Sequence, residues 1–89
     1  MLVKYFANFR DITHKKREEL KASNAAELLD ILIEKYGDEF KNFVFNEQGE
    51  LKPGVIFLVN GKNILHLKGL QTELKDDDEI SLFPPAAGG

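Results

Sequence analysis

Apolar and polar side chains alternate from the first residues of the chain. Val3, Tyr5 and Ala7 fall on one face, and Leu2, Lys4, Phe6 and Asn8 on the other. Aromatic and β-branched residues suit a pleated surface, so the pattern predicts a strand over Leu2–Phe9. Arg10–Lys16 is polar and reads as a loop or short turn. Glu18–Ala22 reads as a second strand with Leu20 and Ala22 facing inward. A helical reading of Asp11–Leu20 competes with it, because Lys, Arg, Glu and Leu are good helix formers. Local sequence leaves these two open.

The rhythm then changes from two to about four. Leu28, Leu32 and Tyr36 recur every fourth residue, and Leu29 and Ile33 widen the stripe. This spacing predicts a helix over Ala25–Tyr36. Asn24 stands where an N-cap belongs, Glu27 follows three residues later as a capping box requires, and Gly37 sits at the C-cap. Phe40–Phe45 holds three phenylalanines and a valine, and Asn46–Glu50 is a turn or loop. Val55–Val59 is a continuous apolar run, short enough for a buried strand. Asn60-Gly61 is a tight-turn signal, and Ile64–Leu67 reads as a short return strand. Gly69–Leu74 is a connection, Lys75–Glu79 an acidic turn, and Ile80–Phe83 a last strand. The total is four or five strands and one main helix. A helix with one apolar stripe must bury it, and one face of the sheet is the natural place. The fold class is therefore α+β.

Length allows one such body. The chain has 89 residues, enough for one modest core and too few for two domains or a deep enclosed cleft. Residues 1–83 form the expected domain and residues 84–89 an extended tail. The formal net charge of −3 argues against a general nucleic-acid binder. No apolar run reaches the ~20 residues of a membrane span, and the N-terminus lacks signal-peptide character. The expected location is the cytoplasm, with neither nucleic acid nor membrane as a partner. Cysteine is absent, which removes disulfides, thiolate metal sites and a cysteine nucleophile. Asp76-Asp77-Asp78-Glu79 lacks the alternating ligands of a calcium loop and reads as a solvated turn suited to steering a basic partner. No Ser-His-Asp set or phosphate-cradling loop appears, so a free-standing enzyme is not expected.

The candidate chemistry lies at the C-terminus, Phe83-Pro84-Pro85-Ala86-Ala87-Gly88-Gly89. Pro84 and Pro85 fix φ near about −65° and lack an amide hydrogen. They end the ladder of the last strand and favour an extended path. Ala86 and Ala87 add little width. Gly88 and Gly89 have no side chain, so their backbone can lie closely against another surface. The result is a stiff base carrying a thin, unhindered carboxylate. A carboxylate is a poor electrophile until it is activated, for example by ATP to an acyl-adenylate. The activating pocket must exclude water, and a narrow tunnel does so only around a thin chain. Val55, Phe57 and Val59 are expected in the core. Ile56, Leu58 and Phe83 are candidates for partner contact, together with Pro84, Pro85, Ala86 and Ala87.

On these residues the sequence resembles the small subunit of molybdopterin synthase and its sulfur-carrier relatives, the ubiquitin-like β-grasp proteins. The resemblance covers nearly the whole chain and is strongest over Val55–Gly89. It rests on Val59-Asn60-Gly61, Gly69-Leu70-Gln71-Thr72-Glu73-Leu74, Asp78-Glu79-Ile80 and the Phe83–Gly89 ending. Asp77 departs from a frequent glycine, which would cost stability only if its φ is positive. Ala86 stands where the family commonly has valine.

The resemblance implies a β-grasp fold, a mixed sheet packed on the main helix. It implies that a ubiquitin-activating-type enzyme uses ATP to adenylate Gly89 and that a sulfur donor converts it to a thiocarboxylate. The tail then enters the large synthase subunit to deliver sulfur to the pterin precursor of the molybdenum or tungsten cofactor. The carrier itself binds no cofactor. Alternatives are a carrier for thiazole or another metabolite, a modifier joined through Gly89 to target lysines, and a plain interaction module.

Overall fold

The computed structural model describes residues 1–85. Strands are β1 (Leu2–Tyr5), β2 (Arg17–Glu19), β3 (Ile56–Val59), β4 (Lys62–Asn63) and β5 (Glu79–Phe83). Helices are α1 (Asn8–Thr13), α2 (Ala25–Tyr36) and α3 (Asp38–Val44), and two single 3₁₀ turns cover Ile64–His66 and Gly69–Gln71. The sheet order is β2-β1-β5-β3-β4. β1 and β5 run parallel at its centre and the other neighbours antiparallel. This is the mixed five-stranded sheet of the β-grasp fold.

The helix α2 forms as its sequence requires. The Asn24 side chain accepts a hydrogen bond from the Glu27 N–H at 2.8 Å, and the Glu27 carboxylate accepts from the Ser23 N–H at 3.0 Å. These satisfy backbone donors at the helix start. Gly37, at φ 82°, ends the helix where a side chain would be strained. Leu28, Leu29 and Leu32 are buried against Val3, Tyr5, Phe57, Ile80 and Leu82 from the sheet. Phe9, Phe40 and Val44 close the far side of the same core.

Three stretches need correction, and one that the pattern left unassigned gains an element. The first strand ends at Tyr5, and the residues that follow turn into α1 rather than a loop over Arg10–Lys16. Burial of Phe9 and Ile12 sustains this six-residue helix, which has no side-chain N-cap and ends at His14 with φ 60°. The second strand is Arg17–Glu19 rather than Glu18–Ala22, although Leu20 and Ala22 do pack against the core. Phe40–Phe45 falls largely within α3. The return strand is Lys62–Asn63, and Ile64–Leu67 turns as 3₁₀ so that Ile64 is buried while Leu65 and Leu67 are exposed.

The Asn60-Gly61 turn joins β3 to β4, and both residues have positive φ, 52° and 86°, as a two-residue hairpin turn of this kind demands. Asn60 also reaches back to the acidic turn. Its Nδ2 donates to the Asp78 carboxylate at 2.8 Å, and its Oδ1 accepts from the Glu79 N–H at 2.9 Å. Asp77 is not among the positive-φ residues, so its departure from glycine carries no backbone strain.

Candidate functional site: the root of the C-terminal tail

The tail begins as the direct continuation of the strand at the sheet's centre. In β5, Ile80 and Leu82 point into the core, and Ser81 and Phe83 lie on the opposite face. Its last register partner on β3 is Ile56, opposite Phe83. Pro84 follows without an N–H to donate, which accounts for the end of the ladder. Pro84 and Pro85 are half-buried.

The outer face at this end is apolar. Phe6, just beyond β1, stacks on Phe83 with ring centroids 4.2 Å apart and planes at 10°. Ile56 is 39% exposed, and Leu58 lies half-buried two residues along the same face of β3. Cross-strand neighbours on one face are within contact range, so Phe6, Phe83 and Ile56 form a row across three strands, with Leu58 beside it. Arg10 borders the row. Its Nε donates to the Tyr5 carbonyl at 2.8 Å, and its guanidinium carbon lies 5.4 Å from the Phe6 ring centroid. Farther along, Lys4 and Glu79 pair across β1 and β5 at 2.9 Å.

Val55, Phe57 and Val59 are buried, as the sequence suggests, and Ile56, Leu58 and Phe83 share the outer side. The structure thus brings Ile56, Leu58 and Phe83 to one face of the sheet, and the half-buried Pro84 and Pro85 follow Phe83 directly in the chain. Ala86, Ala87, Gly88 and Gly89 lie outside the described residues. Phe6 and Arg10 were not singled out from sequence. The alternation of β1 already put Phe6 on the outer face, but only the parallel pairing with β5 brings its ring to Phe83.

A separate polar cluster fixes the sheet edge to α2. Glu18 on β2 turns its carboxylate inward, where its side chain is only 8% exposed. One oxygen accepts from the Tyr5 hydroxyl at 2.6 Å and from the Tyr36 hydroxyl. The other pairs with Lys35 and, at 3.4 Å, with Lys15. Burial alone would raise the Glu18 pKa, but the hydrogen bonds from Lys35, Tyr36 and Tyr5 outweigh it and hold the pKa down at about 2. Burial, and then the bond to the Glu18 carboxylate, raise both tyrosines above the usual phenol range. Every group in the cluster is engaged, and the buried Tyr5 side chain puts it on the core side of the sheet, opposite the Phe6–Phe83 row.

Sequence comparison now bears on this architecture. The ThiS family model matches residues 3–89. The chain belongs to the ThiS family, the ubiquitin-like sulfur carriers and modifiers. This ThiS-family chain is 37% identical over 89 residues to small archaeal modifier protein 3 of Haloferax volcanii, covering 98% of this chain and 96% of that one. The solution structure of small archaeal modifier protein 1 from Methanosarcina acetivorans superposes with a TM-score of 0.84 at 38% identity, over 99% of this chain and 94% of that one. A putative molybdopterin converting factor, subunit 1, from Pyrococcus furiosus is 29% identical with a TM-score of 0.74, covering 96% and 95% of the two chains. The match to the family includes Gly88 and Gly89.

Proposed function

We propose that this protein is a sulfur carrier for molybdopterin synthesis, with the Gly89 carboxylate as its reactive group. The supporting observation is an apolar face at the root of a tail that ends in Gly-Gly within a family of sulfur carriers and modifiers. A ubiquitin-activating-type enzyme docks on Phe83, Ile56 and Leu58 and threads the tail toward ATP. A Gly89 carboxylate oxygen attacks the α-phosphorus of ATP, and pyrophosphate leaves. A hydrosulfide-level donor then attacks the acyl carbon, AMP leaves, and a thiocarboxylate remains. In the large synthase subunit, the thiocarboxylate sulfur attacks an electrophilic carbon of the pterin precursor, and an oxygen substituent leaves that carbon with its bonding pair and takes up a proton. Water then attacks the acyl carbon, the acyl C–S bond breaks with the sulfur retained on the pterin as a thiolate, and the Gly89 carboxylate returns.

The carrier contributes shape rather than catalytic groups. Docking through the face supplies binding energy remote from the reacting carbon, which helps to hold that carbon in line. The narrow tail allows the partner to exclude water from the adenylate. Dependence on ATP suits a cytoplasmic setting.

A second reading shares the first step. The whole-length similarity to small archaeal modifier protein 3 favours a modifier whose adenylated Gly89 is attacked by a lysine amine of a target protein. AMP leaves and an isopeptide bond forms. Intact mass after incubation with ATP, a sulfur source and the host's activating enzyme separates the two. A gain of about 16 Da, mapped to Gly89 and trapped by an alkylating agent to distinguish sulfur from oxidation, is the expected product. Absence of that product with an enzyme proven active, together with Gly89 adducts on target lysines, would establish the modifier instead.

A further inference from the structure

The last described residue of the tail does not stand free of the body. Pro85 lies against the loop that leads into β3. Gly54 in this loop has φ +92°, and a Cβ built on it would lie 3.6 Å from both the Cα and the Cβ of Pro85. The bare backbone of Gly54 therefore faces the proline. Its loop is anchored on both sides. The Lys52 N–H donates to the Val44 carbonyl at the end of α3 at 2.8 Å, and the Val55 N–H donates to the Lys52 carbonyl at 3.2 Å. Phe45 and Leu51 form an isolated bridge just before it. One register step beyond Gly54 and Val55, Ile56 pairs with Phe83. The strand that launches the tail and the loop that meets it are thus tied together.

We propose that Gly54 is a positioning residue for the carrier reaction: it is the seat that sets the direction in which the tail leaves the domain. The inference rests on the reading of Gly89 as the activated group. Pro85 is stiff in φ and its ring is bulky, so the surface it meets controls the path of the residues that follow. At 3.6 Å a single methyl would touch Pro85 without overlap. A longer side chain has to turn aside or displace the proline. When a partner holds the tail, displacement at the root shifts where the chain enters the partner's pocket, and a misplacement of about 1 Å at a reacting atom can cost on the order of a hundredfold in rate. The face formed by Phe6, Phe83, Ile56 and Leu58 is left in place, so docking is retained while alignment is lost.

Backbone strain must be separated from the seat. Any side chain at φ +92° is strained, and asparagine tolerates positive φ better than most residues. Gly49 provides a matched control: its φ is +78°, and a Cβ there meets nothing within 4 Å. The experiment compares Gly54→Asn with Gly49→Asn and the unsubstituted protein. ATP–pyrophosphate exchange by the host's activating enzyme is followed as a function of carrier concentration. The expected result is a fall in kcat of at least about tenfold for Gly54→Asn with KM within about twofold, and near-normal values for Gly49→Asn. Equal kinetics for the two variants would overturn the seat. So would a raised KM with unchanged kcat, which reports a smaller folded fraction or weaker docking. If Gly54→Asn does not fold, Pro85→Gly, which removes the Cβ that meets the seat and leaves Gly54 unchanged, is read by the same criteria.

A second measurement does not depend on activation. In isotopically labelled, unsubstituted protein, nuclear Overhauser contacts are expected between the Gly54 Hα protons and the Pro85 ring. Their absence removes the seat even if Gly89 is activated. Their presence in a chain that a proven activating enzyme leaves untouched keeps the seat as geometry but refutes both its role in the reaction and the carrier reading.

Discussion

Phe6 and Phe83 lie ring on ring, 4.2 Å between centroids, although 77 positions separate them in sequence. Parallel pairing of β1 and β5 is what makes them neighbours, with the Phe6 N–H donating to the Leu82 carbonyl at 3.1 Å. The pair is half-buried and faces away from the core. Its cost to a partner-free protein is offset only in part by the stack, worth about 0.5–1.5 kcal/mol beyond area burial. Phe83→Ala is therefore expected to lower stability by about 1 kcal/mol and to weaken docking more severely. An aromatic anchor at the centre of an interface gives a loss of about tenfold or more in affinity. In the exchange assay this appears as a raised KM with kcat nearly retained. An unchanged KM would remove Phe83 from the docking face.

Gly89→Arg tests the proposed reactive end. A long charged side chain at the final residue blocks entry of the tail into a narrow, water-excluding pocket. Thiocarboxylate formation is expected to fall below detection by intact mass, while the denaturation midpoint stays at the wild-type value. Normal sulfur loading of the variant would mean that Gly89 is not the activated residue.

The Glu18 cluster makes stability depend on acid. Unfolded Glu titrates near about 4.3, and the folded group near about 2. Between those values the unfolded chain holds more protons, so stability falls as pH falls. The contribution is fully present above about pH 5 and is lost progressively toward about pH 2. Glu18→Gln keeps the shape but removes the charge that Lys35 and the two tyrosines meet. It is expected to cost about 1–3 kcal/mol at neutral pH, with the gap from wild type closing as pH is lowered. Denaturant midpoints measured from pH 7 to pH 2 check this; a gap that stays constant with pH would assign the loss to packing.

Leu32 lies in the middle of the α2 stripe and has no exposed surface. Leu32→Ala is expected to cost about 2–5 kcal/mol, the sum of lost transfer energy and the cavity left behind. Chemical denaturation reads it directly, and a loss under about 0.5 kcal/mol would mean that neighbouring side chains collapse into the space.

The parts of this fold visible in sequence are those whose signals are local. α2 carries its own cap at Asn24, its stripe and its Gly37 stop. The β3–β4 turn needs only Asn60-Gly61 to be recognised. α1 is different, because Ala7 enters it with φ 52° and no side chain caps it. Burial of Ile12, and of Phe9 with its ring stacked on Phe40 of α3, sustains the helix, and that is a tertiary fact. Ile64–Leu67 shows the opposite failure. Its apolar run satisfies a strand pattern, yet the Asn63 side chain accepts from the Leu65 N–H at 3.0 Å and turns the chain as 3₁₀. The tail root was half visible. Phe83, Ile56 and Leu58 follow from alternation, whereas Phe6, Arg10 and Gly54 join them only through pairings and approaches across long sequence separations.

The place of β5 also has a mechanical meaning. It is held by four register pairs to β1 on one side and four to β3 on the other. A pull on the tail acts along this strand, so the bonds of both ladders bear the load together in shear instead of opening one after another. A partner that grips the C-terminus can therefore draw it taut, or drag the whole molecule by it, and the body resists being unravelled from that end.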